Sequence, residues 1–272
     1  MTRPDLPRQP RAQGELLLSA RLRKGRSRIG ALRQRGSLKA LFPHGAGPRL
    51  NAVFLNTGGG VTGGDRFDLT ARAEDGAHLT LTSQAAERLY RAQPGEVGQV
   101  TNTVTVGAGA SLHWLPQETI VFDGAAMTRR LMADVDPDGT LLAVEPMIFG
   151  RAAMGEVVRQ ARLRDHWRVR RAGDLVFADS LRLDGDLHSL MARPDTGAGA
   201  GAMAAILLVA PGAEDRCEAL RDVLGPLGAC SAIRPGVLFA RMLAADGFDL
   251  RRVLIPAIRL LSGGDLPRPW ML

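Results

Sequence analysis

From Glu15 to about Val176 the chain alternates apolar and polar residues in short runs, each closed by Gly, Pro or Asp. Residues 67–71, 78–82, 100–106, 131–135, 141–144, 158–164 and 167–170 carry this period of two. Such a period predicts strands with one face in a core and the other in water. Turn signals every eight to twelve residues fit an antiparallel sandwich, a barrel or an irregular β-solenoid. No fixed-length repeat is visible, which argues against a regular solenoid. Residues 51–56 read as a further strand. Residues 83–92 read either as one or two helical turns capped by Ser83 or as an extended segment.

The last third changes period. A Gly/Ala linker at 193–201 leads into a buried strand at 203–209. Residues 213–224 place apolar side chains at 213, 217, 220 and 224 and stop at Gly225-Pro226, the signature of a helix. Another strand is expected at 236–243. A second helix then follows, capped by Asp246 and closed by Gly263, with apolar residues at 250, 253, 254, 257, 258 and 261. Pro256 should kink that helix or restrict its N-terminal half. The pattern describes a mainly β body with two α-helices docked in the C-terminal third.

One stretch stands outside this pattern: Gly58, Gly59, Gly60, Gly63 and Gly64 lie within seven residues and run into Asp65. Glycine is conformationally expensive to order, so the run suits a turn needing positive φ or a close approach to the main chain. Its spacing matches the dinucleotide fingerprint, but the residues after it alternate as a strand where that motif needs a helix. A Walker A loop fails as well, for want of Gly-Lys-Ser/Thr.

Other chemistries find little support. The five histidines (His44, His78, His113, His166, His188) are scattered, with none of the spacings that build zinc or nickel sites. His113, next to Trp114 in an alternating run, reads as a satisfied, half-buried histidine. There is no Gly-x-Ser-x-Gly, and neither Cys217 nor Cys230 has a histidine near it in sequence.

The net charge of +7 is unevenly placed: residues 1–39 hold eleven Lys/Arg against Asp5 and Glu15. The basicity is therefore assigned to an N-terminal arm and not to the fold, with residues 1–14 expected to be disordered. Without interleaved aromatics or a nucleic-acid module, nucleic acid is not the expected partner. The polar, proline-rich start shows no signal peptide, and the longest apolar run, 202–211, is too short for a membrane span. Two cysteines in 272 residues fit a reducing compartment. A cytoplasmic protein is expected.

Three segments put charge inside apolar, strand-like surroundings: Tyr90-Arg91, residues 115–125 with Glu118 and Asp123, and residues 145–156 with Glu145, Arg151 and Glu156. A charge placed there needs a partner, water or a cavity. The plain structural reading is a set of ion pairs, for example Arg151 with Glu145 or Glu118.

Taken together, Leu55 to Asp65, Ser83 to Arg91, Trp114 to Ala125, Phe149 to Glu156 and the closing Leu266-Pro-Arg-Pro-Trp270 resemble, in order, the hallmark segments of the urease accessory protein UreD (UreH) family. The resemblance covers roughly residues 15–272; the arm before Glu15 has no counterpart, and Ser83 stands where threonine is common. It implies an irregular helical stack of β-sheets, solenoid-like or sandwich-like, with two helices. It implies one domain over 15–272, its β body at about 15–192 and a strand/helix part at about 202–265.

The resemblance further implies a scaffold that does no catalysis. With UreF and the GTPase UreG it would bind apo-urease and help insert nickel into the urease active site. No cofactor is expected to be held tightly, nickel being in transit. On that basis Asp65, Glu118, Glu145 and Glu156 are candidates for a hydrated, carboxylate-lined nickel route, since weak oxygen ligands suit passage better than trapping. Tyr90, Arg91, Arg151 and Asp123 are candidates for fixing these carboxylates or meeting UreF, and Gly58, Gly59, Gly60, Gly63 and Gly64 for the turn beside them. Two rival readings stand: an enzyme using paired carboxylates in a pocket of Glu118, Asp123 and Glu145, and an interaction module with no metal role.

Overall fold

The computed structural model describes residues 10–43, 47–264 and 266–271. In chain order its strands are β1 (Gln13–Arg23), β2 (Arg26–Gly36), β3 (Leu38–Leu41), β4 (Leu50–Asn56), β5 (Arg66–Ala73) and β6 (His78–Ser83). There follow β7 (Glu87–Leu89), β8 (Gly98–Val106), β9 (Ser111–Trp114), β10 (Thr119–Val121), β11 (Ala125–Val135) and β12 (Thr140–Phe149). Then come β13 (Ala161–Arg171), β14 (Asp174–Gly185), α1 (Leu187–Ala192), β15 (Ala202–Val209), α2 (Cys217–Leu224), β16 (Gly228–Arg234), β17 (Val237–Ala244) and α3 (Gly247–Ser262).

The strands form two sheets. The first has the order β14-β13-β11-β8-β5-β1-β2; the second runs β16-β17-β15-β12-β9-β6-β4-β3, with β10 beside β12 and β7 beside β10. From β4 to β13 the chain shuttles between them, and successive strands of each sheet pair in parallel. This is a two-layered, irregular β-solenoid with antiparallel hairpins at its ends. Parallel sheets are usually covered by helices on both faces and lose the alternating pattern. Here the outer face of the first sheet is left to solvent, so the period of two survives in parallel strands. That is why alternation left sandwich, barrel and solenoid open.

Two cores result. The inward residues of both sheets, among them Leu18, Leu69, Leu79, Leu112, Leu131, Leu141 and Trp167, fill the space between them. A second core lies on the far side of the second sheet, where Leu220, Leu224, Leu250, Leu254 and Ile258 of α2 and α3 cover β15 and β17. All eight residues of β15 are consequently buried, which explains its unbroken apolar run.

Both expected helices form. A 3-10 turn over Ala213–Arg216 precedes α2. Asp246 caps α3, its side chain accepting from the Asp249 amide at 2.9 Å, and Gly263 ends it at φ 73°. Pro256 lies inside α3, which continues past it to Ser262.

The count of two helices is corrected to three. α1, a turn and a half capped by Asp186, packs Leu187 and Met191 into the first core. At six residues it is too short to show a period. Edge strand β16 was not anticipated either. Residues 83–92, left open above, are extended: β6 ends at Ser83 and β7 follows. Cys217 and Cys230 are both free and buried.

Two expectations about the N-terminus change. Residues 1–9 of the arm lie outside the described residues, but its remainder is ordered: Arg11 ion-pairs with Glu96 and β1 starts at Gln13. Most of the basic residues among 1–39 thus belong to β1 and β2, an edge of the first sheet, so the basicity is part of the fold after all.

Candidate functional site

The glycine run forms the connection from β4 to β5. Val61 makes an isolated bridge to Leu89, drawing the run flush against residues 88–96. A Cβ on Gly60 would meet the Tyr90 ring and lie 2.6 Å from the Arg88 carbonyl; one on Gly63 would lie 2.7 Å from Glu96 Cβ. Gly59, Gly60 and Gly64 hold positive φ. Close approach is thus what the glycines provide. Asp65 closes the turn: Oδ1 accepts from the Ala12 amide and Oδ2 from the Thr62 amide, each at 2.8 Å. Both oxygens of this buried side chain are occupied by main-chain donors.

The surface beside this turn carries a second cluster. Tyr90 sets its ring edge-on to Phe122, centroids 5.1 Å apart, and its hydroxyl donates to the Gly59 carbonyl at 3.2 Å. The Arg151 guanidinium lies 4.2 Å over the Phe122 ring and is held by Glu156 through Nε at 2.8 Å. Hydrogen bonding to Arg151 holds the Glu156 carboxyl below its usual range. Asp123 accepts from the Arg159 and Gln160 amides at 2.9 Å and ion-pairs with Arg91 at 2.5 Å. Five expected residues (Tyr90, Arg91, Asp123, Arg151, Glu156) therefore meet at one place.

Glu145 goes elsewhere. It is buried between the sheets, accepting from Trp114 Nε1 at 2.9 Å and ion-pairing with Arg129 of β11. Arg129 also reaches Asp165 through Nη2 at 2.7 Å and Thr119 at 3.2 Å. The register puts Arg129 directly opposite Asp165 on β13. Burial opposes the Arg129 charge, but the Asp165 and Glu145 carboxylates outweigh that and raise its pKa. One guanidinium thus serves two carboxylates, and burial pushes Glu145 well above the usual carboxylate range, against the pull of Arg129.

This network borders a cavity of about 70 Å³ between the sheets, lined by Asn102, Gln117, Thr119, Arg129 and Glu145 and walled by Phe54, Leu69, Trp114 and Met127. Glu87, in register with Thr119 on the neighbouring strand, also lines it; burial raises its carboxyl to about 7, with the Asn56 side chain pulling the other way. Glu87 also borders a surface pocket formed by Asn56, Gly59 and residues 83–88.

Glu118 takes a fourth position. It ion-pairs at 2.7 Å with Arg251 of α3, which also donates to Gln117. Trp270 donates to the Leu115 carbonyl at 2.9 Å beside it. Glu118 thereby ties the helical layer to the solenoid.

The four expected route carboxylates thus lie at four separate places. Ion pairs do form, but with other partners: Arg151 takes Glu156, Glu145 takes Arg129, and Glu118 takes Arg251. Glu118, Asp123 and Glu145 do not converge, so the paired-carboxylate pocket is not assembled. Among the described residues, no group of three or more His, Cys, Asp or Glu is placed to hold a metal ion. His113 is buried and its Nδ1 has no hydrogen-bond partner among the described residues, contrary to the satisfied, half-buried histidine expected; burial, chiefly, lowers its pKa to about 4. His44 lies outside the described residues.

Reading the sequence missed Glu87, Arg129, Asp165 and Arg251. A signal existed for two of them. Met127-x-Arg129-x-Leu131 and Leu163-x-Asp165-x-Trp167 put a charge in the inward phase of an alternating strand.

No helix among the described residues is long and apolar enough to cross a membrane. The family model for the UreD urease accessory protein matches residues 12–271. The chain is 46% identical over 244 residues to the urease accessory protein UreD of Ruegeria pomeroyi, covering 90% of this chain and 95% of that one. It is 45% identical over 264 residues to UreD of Roseobacter denitrificans, covering 97% and 96%. To UreD of Azorhizobium caulinodans it is 41% identical over 268 residues, 98% of each chain. With nearly the whole length matched, this chain belongs to the UreD urease accessory protein family.

Proposed function

We propose that this protein, a urease maturation factor by family, acts with UreF and the GTPase UreG as a scaffold on apo-urease, and that nickel crosses it as cargo through the largely apolar cavity between its sheets, along the carboxyl groups that border it. The observation that supports this reading is the cavity itself. Glu145 and Asp165 set two carboxyl groups around the single guanidinium of Arg129 in an otherwise apolar interior, one more than Arg129 can neutralise when both are ionised, and Glu87 borders both that cavity and a surface pocket.

A surplus buried charge is costly for stability alone, and well-packed apolar residues would commonly serve the fold as well or better. Its retention makes sense if a cation visits. Oxygen donors already engaged by a guanidinium bind a divalent ion weakly, as passage requires. In this reading Glu145 and Glu87 line the route. Asp65, Glu118 and Glu156, each committed to its own partner, hold the walls and the helical layer. The Tyr90–Phe122–Arg151 cluster is the surface offered to UreF.

The test is co-expression with the urease operon, comparing wild type with a Glu145→Gln, Glu87→Gln double variant. Nickel in purified urease should fall severalfold while the accessory complex still copurifies. Unchanged nickel content with an intact complex sinks the route; unchanged nickel when the chain is omitted altogether sinks the maturation role.

A further inference from the structure

The outer face of the first sheet is an arginine-rich surface that the proposed route leaves unused. On β13 the outward positions are Arg162, Arg164, His166, Arg168 and Arg170, alternating with buried Leu163, Asp165, Trp167 and Val169. Residues two apart on a strand lie ~6.6 Å from one another, so this is a straight row with arginine at every outward position but His166. The neighbouring strands extend it: Arg130 of β11 lies opposite His166, and Arg182 of β14 opposite Arg164.

Little on the face neutralises the row. Arg182 is taken at 2.9 Å by Asp184, which also lies opposite Arg162, and Asp134 lies opposite Arg170. Arg162, Arg164 and Arg168 make no ion pair among the described residues. Like charges directly opposite on a sheet, as at Arg164 and Arg182, are unfavourable. With Arg182 engaged by Asp184, Arg164 is left with a like charge opposite it and no ion-pair partner among the described residues, a place that an anionic partner would fill.

We infer that this face, centred on Arg164 and Arg168, is a docking surface for a carboxylate-rich face of a protein partner. Guanidinium forks match carboxylates bidentately. Two features favour protein over nucleic acid. The outward positions of β11 and β13 hold no Phe, Tyr or Trp, and their one aromatic ring, His166, is tied to Ser180 through Nδ1 at 2.9 Å, so bases would find little stacking platform. Met132, 40% exposed, lies opposite Arg168 in the middle of the row, and methionine among arginines is the composition of a protein interface. The inference rests on the maturation role only in supposing that the partner belongs to that machinery.

The purified full chain is titrated with a fluorescent oligo-glutamate peptide and, separately, with single-stranded RNA, at low and physiological salt. Variants are R164E/R168E and, as an equal change of charge on the helical layer, R252E/R259E. The peptide should bind saturably and more tightly than RNA. R164E/R168E should weaken it by at least about tenfold and R252E/R259E by less than about twofold, as expected when specific charge pairs carry the contact. Tighter RNA binding, equal weakening by both variants, or no peptide binding each overturns the inference. None of these outcomes bears on nickel content, which alone judges the route.

Discussion

Buried ionisable side chains carry most of the information at the scale of single residues. Glu87 has its carboxyl raised to about 7 by burial, from a usual value of 4.5. A raised acid is protonated in the folded chain while already ionised in the unfolded one. Its contribution to stability is therefore fully present below about 4.5 and is lost as pH rises toward 7. His113 works in the opposite sense: burial lowers it to about 4, and its contribution is lost as pH falls below 6.5. The two partly cancel in wild type, so the informative comparison is with Glu87→Gln, where His113 is unchanged. Going from pH 7 to pH 5, wild type should gain stability relative to that variant, by about 2 kcal/mol. Denaturant titrations at both pH values measure this, and an unchanged difference would place Glu87 in water. Asp65, which looked from its position after the glycines like a site residue, is instead a clamp on two main-chain amides. Nothing in the sequence distinguishes an aspartate that binds amides from one that binds an ion, because the choice depends on Ala12, fifty-three residues away.

At the scale of elements, the glycine connection is built for contact. Gly60→Ala would drive a methyl into Tyr90 and the Arg88 carbonyl at φ 155°. The expected loss is about 1–3 kcal/mol from strain, together with displacement of Tyr90 from Phe122. Gly59→Ala meets no atom within 4 Å, although its φ of 78° still carries strain. Thermal melts should rank Gly60→Ala below Gly59→Ala, and the reverse order would mean that the contact with β7 is not tight. The two longer helices were legible from the sequence because period, cap and stop agree. α1 and β16 were not: one is too short to repeat, and the other, at a sheet edge, buries little beyond Cys230.

For the whole molecule, the architecture predicts a gradient of protection. Interior strands β8 and β9 are paired on both sides, whereas β2, β14 and β16, three of the four end strands (the fourth is the short β3), pair on one side only. Amides of β8 and β9 should exchange only with global opening, and those of the three edges by local opening. Hydrogen exchange followed by mass spectrometry reads this directly; equal protection across both sheets would contradict it. The positions of the longer interior strands, their inward and outward faces and the buried β15 follow from the order of apolar and polar residues, since burial selects by side-chain type and a strand has a period of two. Family membership, too, was readable in the motifs from Leu55 to Glu156. Only the tertiary structure decided that the strands wind in parallel, that Arg129 serves Glu145 and Asp165 together, that four acidic residues part ways, and that arginines far apart in sequence share one outer face. Each of these depends on which strands become neighbours, and a period of two is the same whichever neighbour a strand takes.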